Sequence, residues 1–178
     1  MTPAILADYA LTTLDEACGQ IGINVGDDDD AVIRCVNRAS KRIASFCGRD
    51  LHYSSGIVEY VAGYATTDLI VSRLPIASVA SISFDGVPID AVDYDLRDAA
   101  SGAIYRRTGW VWTATRNNGV AQGPAPGTEE KLYAVTYAGG FWTPAQGPTS
   151  ALPAGATLLP DDIEPVSYTH LRAHETEA

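Results

Sequence analysis

The chain has 178 residues, of which 46% are hydrophobic and 19% are charged, and its net charge is −10. This length and composition predict one sizeable core, and therefore one domain with an embedded subdomain, while the negative charge argues against a protein whose main partner is nucleic acid. No apolar run approaches the roughly 20 residues of a membrane helix, and the first residues lack the pattern of a signal peptide, so we expect a cytoplasmic protein with no membrane partner.

Two helices are predicted within residues 1–56. The segment Thr13-Leu14-Asp15-Glu16 has the spacing of a capping box, and Gly22 ends the short helix that it opens. The acids Asp27 to Asp30 supply N-caps for a second helix, which Gly48 ends. These acids lack the alternating ligand spacing of a calcium loop. The apolar stripe of the second helix is predicted from spacings of three and four residues: Val32, Val36, Ala39, Ile43 and Phe46.

A basic face lies opposite that stripe, formed by Arg34, Arg38, Lys41 and Arg42. It has three interpretations: a solvated surface, a contact with an acidic partner, or a contact with the acids of an identical neighbour. The third interpretation suits a ring. We therefore take Arg34, Arg38 and Arg42 as the candidate oligomer interface.

Residues 57–140 are predicted to form a β-rich insertion, because the hydrophobic period changes there from helical to two. Asp85-Gly86 is a strong hairpin signal, and Pro75 interrupts the strand ladder because proline has no amide donor. The insertion is expected to be a mostly antiparallel sheet. The predicted strands are Ile57–Val61, Asp68–Val71, Val79–Phe84, Val87–Ile89, Tyr94–Leu96, Ala103–Arg106, a segment around Val111, and Lys131–Tyr137.

Residues 141–165 are predicted to be a Gly/Pro linker followed by the start of a C-terminal helix. Phe141 and Trp142 have few apolar neighbours in the linker, so they form either a lid over the core or a partner contact. The helical signal Leu159–Glu164 is cut short by Pro165, because proline inside a helix costs about 3 kcal/mol. The segment Thr115–Glu130 is predicted to be a long exposed loop.

The chain has no pattern typical of a catalytic, cofactor or metal site, and we expect a protein that is not an enzyme. Three cysteines on helical patterns are expected to be buried free thiols. A base is needed beside any nucleophile, and His52 is expected to be a surface residue. The remaining weak candidates are the acidic pairs Asp93/Asp95 and Glu129/Glu130 and the histidine pair His170/His174.

The tryptophans allow an alternative function. Trp110, Trp112 and Trp142, with nearby tyrosines, could line the sugar-binding face of a β-rich carbohydrate-binding module. The same rings could instead fill the core of the sheet and its interfaces.

The order of several motifs resembles one protein family over about residues 11–165. The motifs are Leu11–Glu16, the helix end Phe46-Cys47-Gly48-Arg49, Leu74–Ile82, Asp85-Gly86, Asp93–Leu96, Gly102–Tyr105, Val135–Gly140 and Leu159–Ile163. Together they resemble the head-tail connector (adaptor) proteins of tailed bacteriophages.

The resemblance implies a structural, non-enzymatic protein of the virion neck. Such proteins form homo-oligomeric rings, usually dodecameric, that dock beneath the portal protein after packaging and receive a tail-completion protein on the far side. The packaged DNA only passes through the bore. The family's helices carry the core and the ring contacts, and its β insertion extends the collar.

The end of the chain departs from the family pattern, in which the Leu-Pro-x-Asp motif opens a long helix. Residues 166–178 are similar to a translated sequencing-adapter tail, so we expect a non-native tail in place of a truncated C-terminal helix. The expected fold class is therefore α+β, with a small helical framework and an inserted, mostly antiparallel β-sheet.

Overall fold

A computed structural model describes residues 3–111, 132–161 and 163. The chain divides into two compact units, one from residues 1–53 and 140–178 and one from Ser54–Gly139. Within the described ranges, neither helix combines the length and the hydropathy that crossing a membrane requires. The first unit contains both α-helices, and we call it the helical unit; the second is the β unit.

The two helices of the helical unit are α1 (Leu14–Ile21) and α2 (Asp29–Cys47). The predicted capping box of α1 is confirmed, since the Thr13 hydroxyl accepts from the Glu16 amide at 3.2 Å and the Glu16 carboxylate accepts from the Thr13 amide at 3.3 Å. Gly22 and Gly48 end the helices in the left-handed conformation, as predicted. Asp28 is the N-cap of α2, but its side chain makes no capping hydrogen bond.

The inner face of α2 packs into two apolar clusters. Val32 and Val36 contact Ala17 and Cys18 of α1, whereas Ile43 lies with Leu11, Leu51 and Leu159. The predicted stripe is confirmed for four of its five residues. The fifth, Phe46, is 92% exposed. The residues that cover α2 reach as far as Ile43, and the last turn continues past them.

The segment before α1 lies along α2 and is held by polar side chains of that helix. The amides of Ala4, Ala7 and Leu11 donate to Asp30 at 2.8 Å, Asn37 at 3.0 Å and Ser40 at 3.1 Å, respectively. These three acceptors recur along one side of α2. They satisfy backbone groups that would otherwise be buried without partners.

The β unit contains two antiparallel sheets. The first has four strands in the order β1-β7-β3-β4, and the second has three in the order β2-β6-β5. The strands are β1 (Ser54–Val61), β2 (Asp68–Ile70), β3 (Ile76–Phe84), β4 (Val87–Ile89), β5 (Tyr94–Asp98), β6 (Ala103–Arg106) and β7 (Tyr133–Gly139).

Two predicted breaks in the β unit are confirmed. Pro75 lies immediately before β3, outside the ladder. Asp85 and Gly86 join β3 to β4 with φ angles of 48° and 78°, the left-handed pair that a two-residue hairpin turn requires. Glycine adopts such a φ without strain, which explains the Asp-Gly order.

The core of the β unit forms around β7, the strand that pairs with both β1 and β3. Trp110 lies in this core at 1% exposure and contacts Tyr133 edge to face, with ring centroids 5.3 Å apart. Its indole donates to the carbonyls of Ile104 and Thr67 at 3.1 and 3.2 Å. The predicted strand around Val111 is wrong for Trp110 and Val111, which are irregular. The indole N–H has its partners in the carbonyls of Thr67 and Ile104, and this hydrogen bonding does not need Trp110 to belong to a strand.

A group of hydrogen bonds at Tyr137 holds the segment after β2 against the sheet. The Tyr137 hydroxyl donates to the Glu59 carboxylate at 2.6 Å and accepts from the Arg73 amide at 3.1 Å. The same carboxylate accepts from the Ser72 amide and hydroxyl, both at 3.0 Å. Burial, followed by the hydrogen bond to Glu59, raises the pKa of Tyr137 to about 12.

Residues 140–161 are folded into the helical unit and do not form the predicted linker. Strands β8 (Phe141–Trp142) and β9 (Thr157–Leu158) pair in parallel, and two 3₁₀ turns, Pro144–Gln146 and Thr149–Ala151, lie between them. Leu159–Asp161 do not begin a helix; the Ile163 amide bonds the Pro160 carbonyl in a single turn. The pairing of β8 with β9 provides hydrogen-bond partners for backbone groups in a segment whose Gly/Pro composition predicted no regular structure.

The fold is α+β, with two helices and a mostly antiparallel set of sheets. The sheets make up more of the described chain than the expected small helical framework implies. The predicted exposed loop, Trp112 and the proposed non-native tail lie outside the described residues.

We predict that Tyr137→Phe lowers the free energy of unfolding by about 1.5–3 kcal/mol, the range for a hydrogen bond to a charged group. Urea denaturation at pH 7 measures the loss. The control is Tyr60→Phe, since the Tyr60 side chain is exposed and the variant should lose almost nothing. Equal stability of the two variants would contradict a structural role for this hydroxyl.

The same group predicts an alkaline pH dependence. The folded-state pKa of Tyr137, about 12, lies above the ordinary value of 10.0. The hydroxyl therefore contributes its full stability below pH 10, and that contribution disappears as the pH rises through about 12. Tyr137→Phe should lose less stability than the parent chain over this interval, as measured by urea denaturation at several pH values.

Candidate interaction surfaces

The outer face of α2 carries the predicted interface residues, and all three are exposed. Arg34, Arg38 and Arg42 recur every four residues, so they form one strip along the helix. Among the described residues, none of the three forms an ion pair. Lys41, the fourth cation, lies over the Tyr9 ring at 4.9 Å. The strip is thus a local positive surface on an acidic chain.

The strip ends at Phe46, four residues after Arg42. The periodic spacing predicted that this ring is buried. It is exposed because the residues that pack around Ile43 do not extend over the last turn of α2. An almost fully exposed phenylalanine loses the free energy that burial of a large apolar side chain provides. Phe46 is therefore an exposed aromatic side chain where the sequence analysis predicted a buried one. The only feature of the sequence that could have indicated this exposure is the closeness of Phe46 to Gly48, the residue at which the helix ends.

Phe141 and Trp142, the predicted partner contacts, lie on β8 and are half-buried. Phe141 packs against the cluster that includes Leu51, and its amide donates to the Leu51 carbonyl at 2.7 Å. The Trp142 indole donates to the Gly147 carbonyl at 3.1 Å, and its ring meets Tyr53 edge to face at 5.9 Å. The structure thus gives Phe141 a packing role and leaves part of the Trp142 ring accessible.

Trp142 forms one wall of a groove in the helical unit with a volume of about 540 Å³. Apolar side chains and threonines share its walls, and Glu16 and Asp161 are its acidic residues. The residues that line it are Thr13, Glu16, Trp142–Pro144, Gly147–Thr149 and Leu158–Asp161.

Thr143 lies in the floor of the groove and is fully buried. Its amide donates to the Gln146 side chain at 3.2 Å, and its hydroxyl faces the Gln146 amide in a capping-box arrangement without forming a hydrogen bond of good geometry. A buried hydroxyl without a partner is destabilising by about 1–3 kcal/mol. Thr143 is therefore a fully buried polar residue among the apolar and polar side chains that line the groove.

The three cysteines are the first candidates for reactive chemistry, and they differ in burial. Cys18 is buried, and burial, followed by the charges of Asp29 and Asp15, raises the pKa of its thiol. The expectation of three buried thiols is wrong for Cys35, which is half-buried, and for Cys47, which is exposed in the last turn of α2. All three are free.

The histidine and acidic candidates also differ from the predictions. His52 is half-buried, less exposed than the surface position predicted for it, and it forms a parallel bridge with Phe141. The spacing of Asp93 and Asp95 predicts one shared strand face; this prediction is wrong, because Asp93 ends a 3₁₀ turn, Ala91–Asp93, and only Asp95 lies in β5. In the described part of the chain, no three His, Cys, Asp or Glu side chains are grouped as a metal site requires. His170/His174 and Glu129/Glu130 lie outside it.

The tryptophans of the sugar-binding alternative are separated by burial. Trp110 is in the core of the β unit and cannot present its ring to a ligand. Trp142 belongs to the helical unit, and Trp112 lies outside the described residues. Trp110 instead fills the core, which was the other predicted role of these rings.

Comparison with known proteins returned no family model that matches the chain and no match among curated proteins.

We predict that Thr143→Val raises the free energy of unfolding by about 1 kcal/mol, because valine has a similar shape and removes the unsatisfied hydroxyl. Urea denaturation compares the variant with Thr149→Val, in which an exposed threonine of the same groove is changed and no gain is expected. A loss of stability in Thr143→Val would mean that the hydroxyl has a partner in solution.

Proposed function

We propose that this chain is a head-tail connector (adaptor) protein of a tailed bacteriophage. In this function it has no catalytic activity; it forms a homo-oligomeric ring, expected to be dodecameric, between the portal protein and the tail. The ring stabilises the packaged head and gives the DNA a conduit. It assembles in the host cytoplasm and remains in the neck of the virion, with a tail-completion protein on its far side.

The resemblance in motif order supports this proposal, because several of the motifs coincide with element boundaries. Thr13–Glu16 is the capping box of α1, Gly48 ends α2, and Asp85-Gly86 is the turn between β3 and β4. Gly102–Tyr105 runs from a left-handed glycine into β6. Motifs at such positions determine where helices and strands begin and end. A chain with these motifs in the same order as the connector family is therefore expected to have a similar order of helices and strands.

The observation that carries the proposal is the exposed strip Arg34, Arg38 and Arg42 on a chain of net charge −10. Identical acidic chains repel one another on average, and a local surface of opposite charge offsets that repulsion where two copies meet. The strip provides that surface on the longest helix of the fold. A ring of such subunits keeps a net negative charge, which lets DNA pass through the bore with little adhesion.

We predict that Arg38→Glu weakens self-assembly and makes it less sensitive to salt. One exposed charge pair contributes up to about 1 kcal/mol, so reversing it should raise the concentration for half-assembly by about five-fold. Light scattering between 50 and 500 mM NaCl measures both effects. Arg107→Glu, the same change at an exposed position of the β unit, is the matched control. Equal assembly of the two variants would remove the strip from the interface.

Docking to the portal tests the function itself. We expect purified chain, mixed with the portal protein of the same phage, to add a ring of density to one end of the portal in negative-stain micrographs. The β-unit variant Arg107→Glu should dock in the same way. Unchanged portal particles at saturating chain would rule out the connector function.

A further inference from the structure

Two exposed features of the helical unit remain unexplained by its own packing. The first is Phe46, 92% exposed in the last turn of α2, with Arg42 exposed one turn before it. Residues four apart on a helix lie one above the other, so the ring and the guanidinium project from the same side. We call this pair the knob. It combines a flat apolar surface with a fixed positive charge.

The second feature is the groove of about 540 Å³ beside Trp142. Its apolar wall includes Trp142, Pro148 and Leu158, and the Leu158 side chain is 45% exposed. Its acidic groups are Glu16 and Asp161. Sites for small ligands in proteins have volumes of about 300–1,000 Å³ and combine apolar walls with a few polar groups. The volume of the groove lies in this range, so it is large enough to hold an aromatic side chain and a neighbouring one.

We infer that the knob of one copy of this chain occupies the groove of a second copy. The Phe46 ring would lie against Trp142, Pro148 and Leu158, and an aromatic pair in an offset or edge-to-face arrangement is favourable beyond the area that it buries. The Arg42 guanidinium would donate to the carboxylate of Asp161, while the carboxylate of Glu16, which already accepts from Thr12 and Thr13, adds negative charge to the groove. Such charge-assisted bonds are about twice as strong as neutral ones.

Charge complementarity selects a second copy as the occupant of the groove. The groove carries two carboxylates, and the chain presents one exposed strip of cations, which ends at the one phenylalanine that is almost fully exposed in the described residues. Each copy therefore carries both halves of the contact. Knob and groove consist of different residues, so the contact is heterologous, and successive contacts of that kind form rings or open filaments.

The inference rests on the proposed function only for the closing of the ring; the contact between two copies stands by itself. It also specifies the oligomer interface more finely than the basic strip, because it gives Arg42 a stated partner surface and Phe46 a role. Arg38 and Arg34 lie about one and two turns before Arg42 on the same strip and would flank this contact.

A complementation experiment tests the contact. Phe46→Ser removes the knob and keeps the groove, whereas Leu158→Glu adds a charge to the groove wall and keeps the knob. We expect each variant alone to need at least about ten-fold more protein for half-assembly than the parent chain, since central aromatic contacts contribute more than about 1.4 kcal/mol. Mixed together, they retain one intact contact per pair and should form a 1:1 dimer in sedimentation velocity.

The matched control is Val25→Ser, which removes an exposed apolar side chain before the start of α2 and should leave assembly unchanged. Urea denaturation should show that Phe46→Ser is as stable as the parent, because the ring is exposed. A charge exchange gives an independent reading: Arg42→Glu and Asp161→Arg each weaken assembly, and mixing the two restores assembly beyond a dimer, because every knob in the mixture again finds a groove of opposite charge at position 161.

Three results would overturn the inference: a parent chain that stays monomeric up to about 1 mM, assembly that Phe46→Ser leaves unchanged, or a mixture of Phe46→Ser with Leu158→Glu that forms no dimer. Portal docking separates this inference from the connector function. Docking without complementation removes the knob contact and leaves the function, whereas complementation without docking leaves the contact and removes the function.

Discussion

The pairing of Ser54 with Gly139 across β1 and β7 is the constraint on which the two-unit organisation depends. The chain enters the β unit and leaves it at the same pair, so the insertion closes on itself. Just outside this pair, the Tyr53 amide donates to the Phe141 carbonyl at 2.7 Å, and the helical unit is continuous there. Gly139 and Gly140 make the crossing possible. A Cβ at Gly139 would lie 2.7 Å from the Arg73 carbonyl oxygen, and one at Gly140 would overlap His52. Each unit can therefore form its own core around a junction only one or two residues wide.

In the helical unit, one side of α2 is buried and the other is exposed to solvent. The buried side packs apolar side chains and also supplies hydrogen-bond acceptors for the backbone of the segment that covers it. Asp30, Asn37 and Ser40 accept amides of the preceding segment, so that segment can cover the helix without unpaired backbone groups. The opposite side stays free for cations, and the last turn stays free for Phe46. In the β unit, the Glu59 carboxylate plays the comparable part, because it collects the Tyr137 hydroxyl and the Ser72 groups on one side chain. These arrangements leave an exposed surface with a defined shape and charge, on which the proposed connector ring would depend.

Local patterns were sufficient to predict the elements where the physics is local. The capping box at Thr13, the glycine stops after both helices and the Asp85-Gly86 turn depend on residues within a few positions of one another, and each was found. Predictions failed where distant residues decide. Phe46 fits the periodic stripe, but whether a helix position is covered depends on Leu51 and Leu159, which arrive from elsewhere in the chain. The Gly/Pro composition after Gly140 suggested a linker, but pairing of β8 with β9 ordered it, and a two-residue strand leaves no periodic signal.

The amino-acid sequence by itself therefore determined the α+β class, the helix ends, the hairpins, the inner and outer faces of α2, and the acidic balance with one basic strip. These follow from backbone propensity, capping and periodicity, which act over a few residues. Only the tertiary structure decided that Trp110 is buried, that Trp142 and Leu158 form a groove with Glu16 and Asp161, and that Phe46 stays in water. Burial is a property of what packs against a residue, and for these positions the neighbours come from segments far apart in the chain.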